Sequence, residues 1–169
     1  MNILKLIIII RTIVAFMPYM MLSAIEVPVY DTISINTWHL VDSDKHLDWG
    51  GSTTYQTQFE ASVATWENYK YGVIRKDDDT TVMDVTLSDY YEVSTTAGVT
   101  SSSGTIAFNS YRMNNYSTDQ LLNVCIHELG HALGLAHNQP GDVMYAYVLT
   151  TTSLSSNDKA SYDESYNRY

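Results

Sequence analysis

The chain has 169 residues, of which 45% are hydrophobic, a length and composition that predict one globular domain with its own core. Acidic residues outnumber basic ones by 19 to 9, and the formal net charge is −10. This balance argues against a nucleic-acid or anionic-lipid partner, because phosphate groups are bound by clustered lysine and arginine side chains. The single cysteine excludes an intrachain disulfide.

The first 24 residues form a distinct N-terminal segment. Lys5 and Arg11 accompany an uncharged apolar stretch that ends at the small residue Ala24. This is the layout of a secretory signal peptide, so we predict a leader over residues 1–24 and a secreted, extracellular domain over residues 25–169. An uncleaved leader that anchors the domain to a membrane, with the domain facing outside, is the alternative.

Strands and one helix are predicted in the first half of the domain. Alternating apolar and polar residues predict a strand at Ile33–Leu40, and the polar stretch 41–54 predicts a loop. Apolar residues at helical spacing then predict an amphipathic helix over Tyr55–Tyr71, which Gly72 ends.

Three more strands and a loop are predicted before the second helix. The strands lie at 72–76, at 81–91 and at Thr105–Met113. The stretch 94–104 is rich in Ser, Thr and Gly, which predicts a flexible loop.

Two helices are predicted in the C-terminal third of the chain. Ser117 and Gln120 form a capping box at the start of a helix over 118–133, which Gly134 ends. A second capping box begins the last helix at Ser155. Strands mixed with one early helix and followed by two late helices predict an α+β fold with about three helices.

The first of these two late helices carries the motif HELGHALGLAH. His127 and His131 are four residues apart and therefore share one helix face, where two imidazole nitrogens can bind one zinc ion. Gly134 lets the chain turn and bring His137 back as a third ligand. Three protein ligands leave one zinc position open for water, which is typical of a catalytic site. Glu128 is then placed beside that water as the general base.

This motif, followed by GDVMY, resembles the metzincin metallopeptidases, in which a third histidine precedes a Met-turn. Together with the later SLSSNDKASY, the sequence resembles the matrixin branch, in particular small bacterial matrixin-like proteases. The resemblance implies a zincin-like catalytic domain, with a twisted mixed sheet and a horizontal cleft between that sheet and the active-site helix. It also implies one catalytic zinc ion.

The resemblance further implies roles for individual residues. The three histidines would bind zinc, Glu128 would polarise the water, and Met144 would form the hydrophobic floor below the metal, with plain core packing as the alternative. The strand Gly104–Asn109 would be the sheet edge on which an extended substrate lies. The segment after Met144 would line the pocket for the side chain that follows the scissile bond. The implied substrate-binding residues are Thr105, Ile106, Ala107, Phe108, Asn109, Tyr145 and Tyr147.

The sequence thus predicts a secreted, monomeric zinc endopeptidase that acts on peptides or proteins. The alternative is a non-catalytic binding or effector module on the same scaffold, against which the intact Glu128 argues. Asp77–Asp79 could contribute to a calcium site or form a solvated turn. Cys125 lies two residues before His127, a rotation of about 200° on a helix, so we expect a buried packing residue that faces away from the metal.

Overall fold

The computed structural model describes residues 31–78 and 80–169. Its strands are β1 (Leu47–Gly51), β2 (Ile74–Lys76), β3 (Val85–Tyr90), β4 (Gly98–Ser101) and β5 (Thr105–Asn109). Its helices are α1 (Gln56–Glu67), α2 (Ser110–Met113), α3 (Thr118–Ala132) and α4 (Ser156–Tyr166). The predicted leader lies outside the described residues. None of the described helices combines the length and the apolar content needed to cross a membrane.

The five strands form one mixed sheet in the order β2-β1-β3-β5-β4. β1 pairs in parallel with β2 and with β3, and β3 pairs in parallel with β5. β4 runs antiparallel to β5, from Gly98 opposite Phe108 to Ser101 opposite Thr105. β4 is thus an edge strand, and α3 packs along it. The predicted α+β fold with a mixed sheet is confirmed.

α1 connects the sheet to α3 through aromatic side chains. Phe59 is fully buried, and its ring centroid lies 5.0 Å from that of Trp49 on β1 and 6.4 Å from that of Phe108 on β5. Trp66, also fully buried, donates its indole N–H to the Ile126 carbonyl of α3 at 3.0 Å. Burial of these large rings is the main favourable term that packs the two helices on the sheet.

The predicted strand at Ile33–Leu40 is wrong. The only pairing of this segment among the described residues is an isolated bridge between Ile35 and Leu135. Leu40 donates its N–H to the carbonyl of Ala132 at 2.8 Å. The segment therefore runs past the C-terminal end of α3, and its alternating pattern does not mark a buried face, since Ile33 is 54% exposed.

A central strand lies where a loop was predicted. β1 falls within the stretch 41–54, and its Leu47, Asp48 and Trp49 are all buried. Arg75 on β2 donates two hydrogen bonds to the Asp48 carboxylate, at 2.9 and 2.7 Å. A charged residue at a buried position breaks the hydrophobic pattern by which a strand is predicted. The arginine that pairs with this aspartate is distant in sequence, so the pairing could not be foreseen from the residues around it.

The predicted loop 94–104 contains β4, and the predicted strand Thr105–Met113 is divided. Its first five residues form β5, and Asn109 then caps α2 by accepting a hydrogen bond from the N–H of Tyr111 at 3.2 Å. Because β5 lies between β3 and β4, the expectation that Gly104–Asn109 forms the sheet edge is wrong.

The helix starts are the best-predicted features. The capping boxes at Ser117 and at Ser155 are both formed, and α3 ends within one residue of the predicted boundary. α1 ends at Glu67, one turn before the predicted end. The Glu67 carboxylate accepts hydrogen bonds from three successive N–H groups, those of Gly72, Val73 and Ile74, at 2.6, 2.9 and 2.6 Å. It thereby stabilises the turn between α1 and β2.

We predict that Glu67→Ala lowers the free energy of unfolding by about 1–3 kcal/mol, because three backbone donors lose a charged acceptor. Urea unfolding followed by circular dichroism measures the change. Glu60→Ala is the matched control on the same helix, since the Glu60 carboxylate makes exposed contacts, a hydrogen bond from the side chain of Gln56 at 3.0 Å and an ion pair with Lys76 at 4.0 Å. Equal losses in the two variants would contradict the role of Glu67.

Candidate metal centre

Three histidines converge at the C-terminal half of α3. The ring centroids of His127 and His131, one helical turn apart, are separated by 4.6 Å, and His137 lies 5.2 and 5.0 Å from them. One nitrogen from each ring lies within 4.8 Å of the others. The three residues predicted as ligands are thus neighbours in space.

Main-chain carbonyls orient two of the three rings. The Nδ1 atom of His127 lies 2.9 Å from the carbonyl oxygen of Val143, and that of His131 lies 2.8 Å from the carbonyl oxygen of Leu135. A carbonyl can only accept, so Nδ1 carries the proton and Nε2 of the neutral ring keeps its lone pair.

The protonation state of these rings also suits a metal. Burial, with the nearby His131 and His137 adding to it, lowers the pKa of His127 to about 3. Burial also lowers the pKa of His131. Neutral imidazole is the form that binds zinc, and three imidazoles with free Nε2 atoms match the donor set of an open zinc site. The residues present therefore fit a zinc ion.

A tight turn after α3 presents the third histidine. Gly134 adopts φ +89°, and a Cβ at this position would overlap the hydroxyl of Ser165. Ser34 then bonds to two successive residues of the returning chain: its carbonyl accepts from the N–H of Ala136 at 3.0 Å, and its hydroxyl donates to the carbonyl of His137 at 2.7 Å. The N-terminal segment of the described chain thereby fixes the position of His137.

Glu128 lies against the edge strand. Its side chain is buried, and Oε2 accepts a hydrogen bond from the hydroxyl of Thr100 at 2.7 Å. A Cβ at Gly98 would lie 2.7 Å from Oε1, so the absence of a side chain there gives the carboxylate its space. Burial raises the pKa of Glu128 to about 7, and the Thr100 bond opposes that rise. A cation at the histidines would lower the pKa again.

Gly98 and Thr100 contact the proposed base, yet sequence analysis did not identify them. Both belong to β4, which was predicted as part of a loop. In the sequence they are distinguished only by their small side chains and by their spacing of two residues. This spacing puts two residues on the same face of a strand, but it is informative only once the strand itself has been identified.

Met144 is fully buried against α3, a position that fits both the hydrophobic floor that the resemblance implies and plain core packing. A Cβ at Gly130, between the first two histidines on the helix, would overlap its sulfur. The N–H groups of Val143 and Met144 donate to the carboxylate of Asp158 at 3.0 and 3.2 Å. Asp158, itself fully buried, is therefore the anchor of this turn. In the sequence, the only feature that pointed to Asp158 was its position in the capping box of α4, and it also has that capping role in the structure.

A cavity of about 810 Å³ opens beside the histidines, between β4 and α3 on one side and residues 145–148 on the other. Tyr145 and Tyr147, both predicted to bind substrate, line it, and their ring centroids are 5.4 Å apart. Tyr147 is 71% exposed and therefore forms the outer part of the wall.

The other predicted substrate-binding residues do not line this cavity. They belong to β5, which β4 separates from the cleft: Thr105, Ile106, Ala107, Phe108 and Asn109. Asn109 is fully buried, and its amide nitrogen donates to the carbonyls of Glu92 and Thr96 at 2.9 Å each. Its observed contacts therefore shape the chain that leads into β4.

Cys125 is fully buried and does not line the cavity. Burial raises the pKa of its thiol, which keeps the sulfur protonated and unsuited to metal binding. The prediction of a buried packing residue is confirmed.

The structure gives no support to a calcium site at the acidic run. Asp77 accepts a hydrogen bond from the hydroxyl of Thr81 at 2.8 Å, and Asp78 accepts one from that of Thr80 at 2.6 Å. Asp79 lies outside the described residues. The two described carboxylates stabilise the turn between β2 and β3.

A second group of carboxylates lies at the start of the sheet. Ligand atoms of Asp42, Asp48 and Asp84 lie within 4.8 Å of one another. Arg75 pairs with Asp48, and Asp84 accepts from the N–H of Asp48 at 2.9 Å. Protein groups thus already satisfy these acids.

We predict that Asp158→Asn lowers the unfolding free energy by about 1–3 kcal/mol and weakens zinc binding. The amide can accept from only one of the two N–H groups at the Met144 turn, so the Val143 carbonyl that orients His127 loses its support. Thermal unfolding and competition with a zinc chelator measure the two effects. Asp44→Asn, at an exposed position, is the control and should change neither value. Unchanged zinc affinity in Asp158→Asn would contradict the coupling.

Comparison with known proteins agrees with this geometry. Among solved structures, the archaemetzincin of Methanopyrus kandleri aligns with a TM-score of 0.50 at 12% sequence identity, over 76% of this chain and 99% of that one. At this identity the likeness shows the fold alone, which is the metzincin fold. No curated protein sequence matches the chain. The matrixin family model matches residues 40–167, which include every element from β1 to α4. The chain belongs to the matrixin family of zinc metallopeptidases.

Proposed function

We propose that the protein is a secreted zinc endopeptidase in which Glu128 acts as the general base. One observation carries this proposal: the Glu128 carboxylate and the three histidines line the same open cleft. A purely structural zinc site is closed by four protein ligands and needs no base beside it. Three imidazoles next to a buried carboxylate support hydrolysis over a binding role.

The chemistry divides between the metal and the protein. Zinc bound by His127, His131 and His137 would supply a Lewis acid that acidifies water and polarises the scissile carbonyl. Thr100 engages Oε2 of Glu128, so Oε1 is the oxygen available to accept the proton of the attacking water. The same carboxyl group then donates this proton to the leaving amine, which restores the base for the next turnover.

The substrate would lie along β4. An edge strand offers unpaired N–H and C=O groups, and an extended peptide can pair with them as an added strand. This places the substrate one strand further out than the sequence suggested. The side chain after the scissile bond would enter the part of the cavity bounded by α3, Tyr145 and Val148.

Glu128→Gln tests the assignment of the base. We expect peptide cleavage to fall by about 10²–10⁴-fold, because an amide of the same shape cannot accept the proton. The zinc content should stay near one ion per chain, since the histidines are unchanged. Glu164→Gln, at an exposed position on α4, is the control and should cleave normally. Digestion of a peptide library with and without a chelator, analysed by mass spectrometry, gives the readout.

Two outcomes would contradict this proposal in different ways. Near-normal turnover of Glu128→Gln would show that Glu128 is not the general base, while the protein would still be a peptidase. If the natural protein binds one zinc ion per chain but shows no cleavage that a chelator abolishes, the non-catalytic binding module would be favoured.

Secretion is a separate part of the proposal, and it is supported by the sequence of residues 1–24. We predict that the protein recovered outside an expressing cell begins at Ile25. Intact-mass spectrometry of the purified chain measures this boundary. Recovery of the full-length chain in the membrane fraction would favour the anchored alternative.

A further inference from the structure

One end of the cleft carries a cation, although the protein as a whole is acidic. Arg112, on α2, lines the cavity together with Tyr116 and Gln120 near the start of α3. Among the described residues that line the cavity, Arg112 is the one lysine or arginine, and Glu128 is the one acid. The lining of this end of the cavity therefore carries one positive charge, that of the Arg112 guanidinium.

The guanidinium has no acidic partner within the described part of the chain. None of the ion pairs found there involves Arg112. Its Nε atom is buried and has no hydrogen-bond partner among the described residues. Arg112 as a whole is only partly buried and lines the cavity, so its terminal N–H groups, rather than the enclosed Nε, are the donors that a ligand there can meet.

The guanidinium also has an aromatic neighbour. Arg112 lies over the ring of Tyr116, with 5.7 Å between the guanidinium carbon and the ring centroid. A cation–π contact is an attraction to the face of the ring and supplies no carbonyl or carboxylate acceptor, so it does not neutralise the charge of the guanidinium. A planar fork of donors is the geometry that binds a carboxylate through two parallel hydrogen bonds.

The cationic end of the cavity lies about two helical turns of α3 from the histidines. Gln120 and His127 are seven residues apart on α3, which is about 10 Å along the helix axis. Gln120 lines the cavity together with Arg112, so this span sets the scale of the distance from the cationic end to the proposed zinc site. A long acidic side chain that enters beside the zinc, and an arginine that reaches towards it, can cover this distance together.

We infer that Arg112 binds the carboxylate of a glutamate at the substrate position that follows the scissile bond, and so acts as a specificity-determining residue. This inference rests on the proposed peptidase function. Glutamate is favoured over aspartate because its carboxylate extends one methylene further towards Arg112.

Paired fluorogenic peptides that differ only by Glu or Gln at this position test the inference. The natural enzyme should cleave the Glu peptide with a kcat/KM about tenfold or more above that of the Gln peptide, as a charge-assisted bidentate contact allows. Arg112→Gln should abolish this preference, so that the Glu and Gln peptides are cleaved with kcat/KM values within about twofold of each other. Arg112→Lys, which keeps the charge without the fork, should give an intermediate preference.

Arg168→Gln is the matched control, because Arg168 is exposed and its Nη1 donates to the carbonyl of Asn36, away from the cavity. Its Glu-to-Gln ratio should equal that of the natural enzyme. A natural enzyme without a Glu preference, or an unchanged ratio in Arg112→Gln and Arg112→Lys, would overturn the inference. Either result would leave the proposed peptidase function intact, since both peptides would still be cleaved.

Calorimetric binding separates the subsite from catalysis. The zinc-loaded Glu128→Gln variant should bind the uncleaved Glu peptide about tenfold more tightly than the Gln peptide, and adding Arg112→Gln should remove the difference. This measurement decides the inference even if no peptide is cleaved, which would be a failure of the proposed function alone. Equal affinity for the two peptides would overturn the subsite.

Discussion

The hydrogen bonds from Nδ1 of His127 and His131 to the carbonyls of Val143 and Leu135 join the site helix to the chain that follows it. Each bond fixes a tautomer and a ring orientation, so Nε2 can serve as a ligand. Leu135 and Val143 lie on either side of His137 in the sequence. The same stretch of backbone that presents the third histidine therefore orients the first two, and the site depends on the path of this stretch as much as on the helix.

Elements far apart in the sequence fix that path. Asp158 on α4 accepts hydrogen bonds from the N–H groups of Val143 and Met144. Ser34, near the start of the described chain, donates a hydrogen bond to the carbonyl of His137. On the opposite side of the cleft, β4 positions Glu128 through Thr100. The histidines and the carboxylate are thus supported from different parts of the fold, and the cleft lies where these supports meet. Mutations at the supports should alter metal binding without touching a ligand.

The sequence predicted the parts of this arrangement that local chemistry specifies. Capping boxes at Ser117 and Ser155, the histidine spacing and the glycine turn after α3 each act within a few residues, so their outcome could be foreseen. β1 and β4 could not be foreseen in this way. β1 contains Asp48, whose charge is satisfied only by Arg75 on another strand, and β4 is a short stretch made a strand by its pairing with β5. Because β4 was missed, the edge of the sheet was predicted one strand too far inside.

The central claim is that three histidines, and no other side chains, bind one zinc ion in an open site. X-ray absorption at the zinc edge of the purified protein tests it most directly. The account predicts a first shell of nitrogen and oxygen atoms at about 2.0–2.1 Å, with the outer scattering of three imidazoles. A sulfur atom at about 2.3 Å would contradict it, because Cys125 is the only cysteine and is buried away from the cleft. A shell with fewer than three imidazoles would contradict it as well.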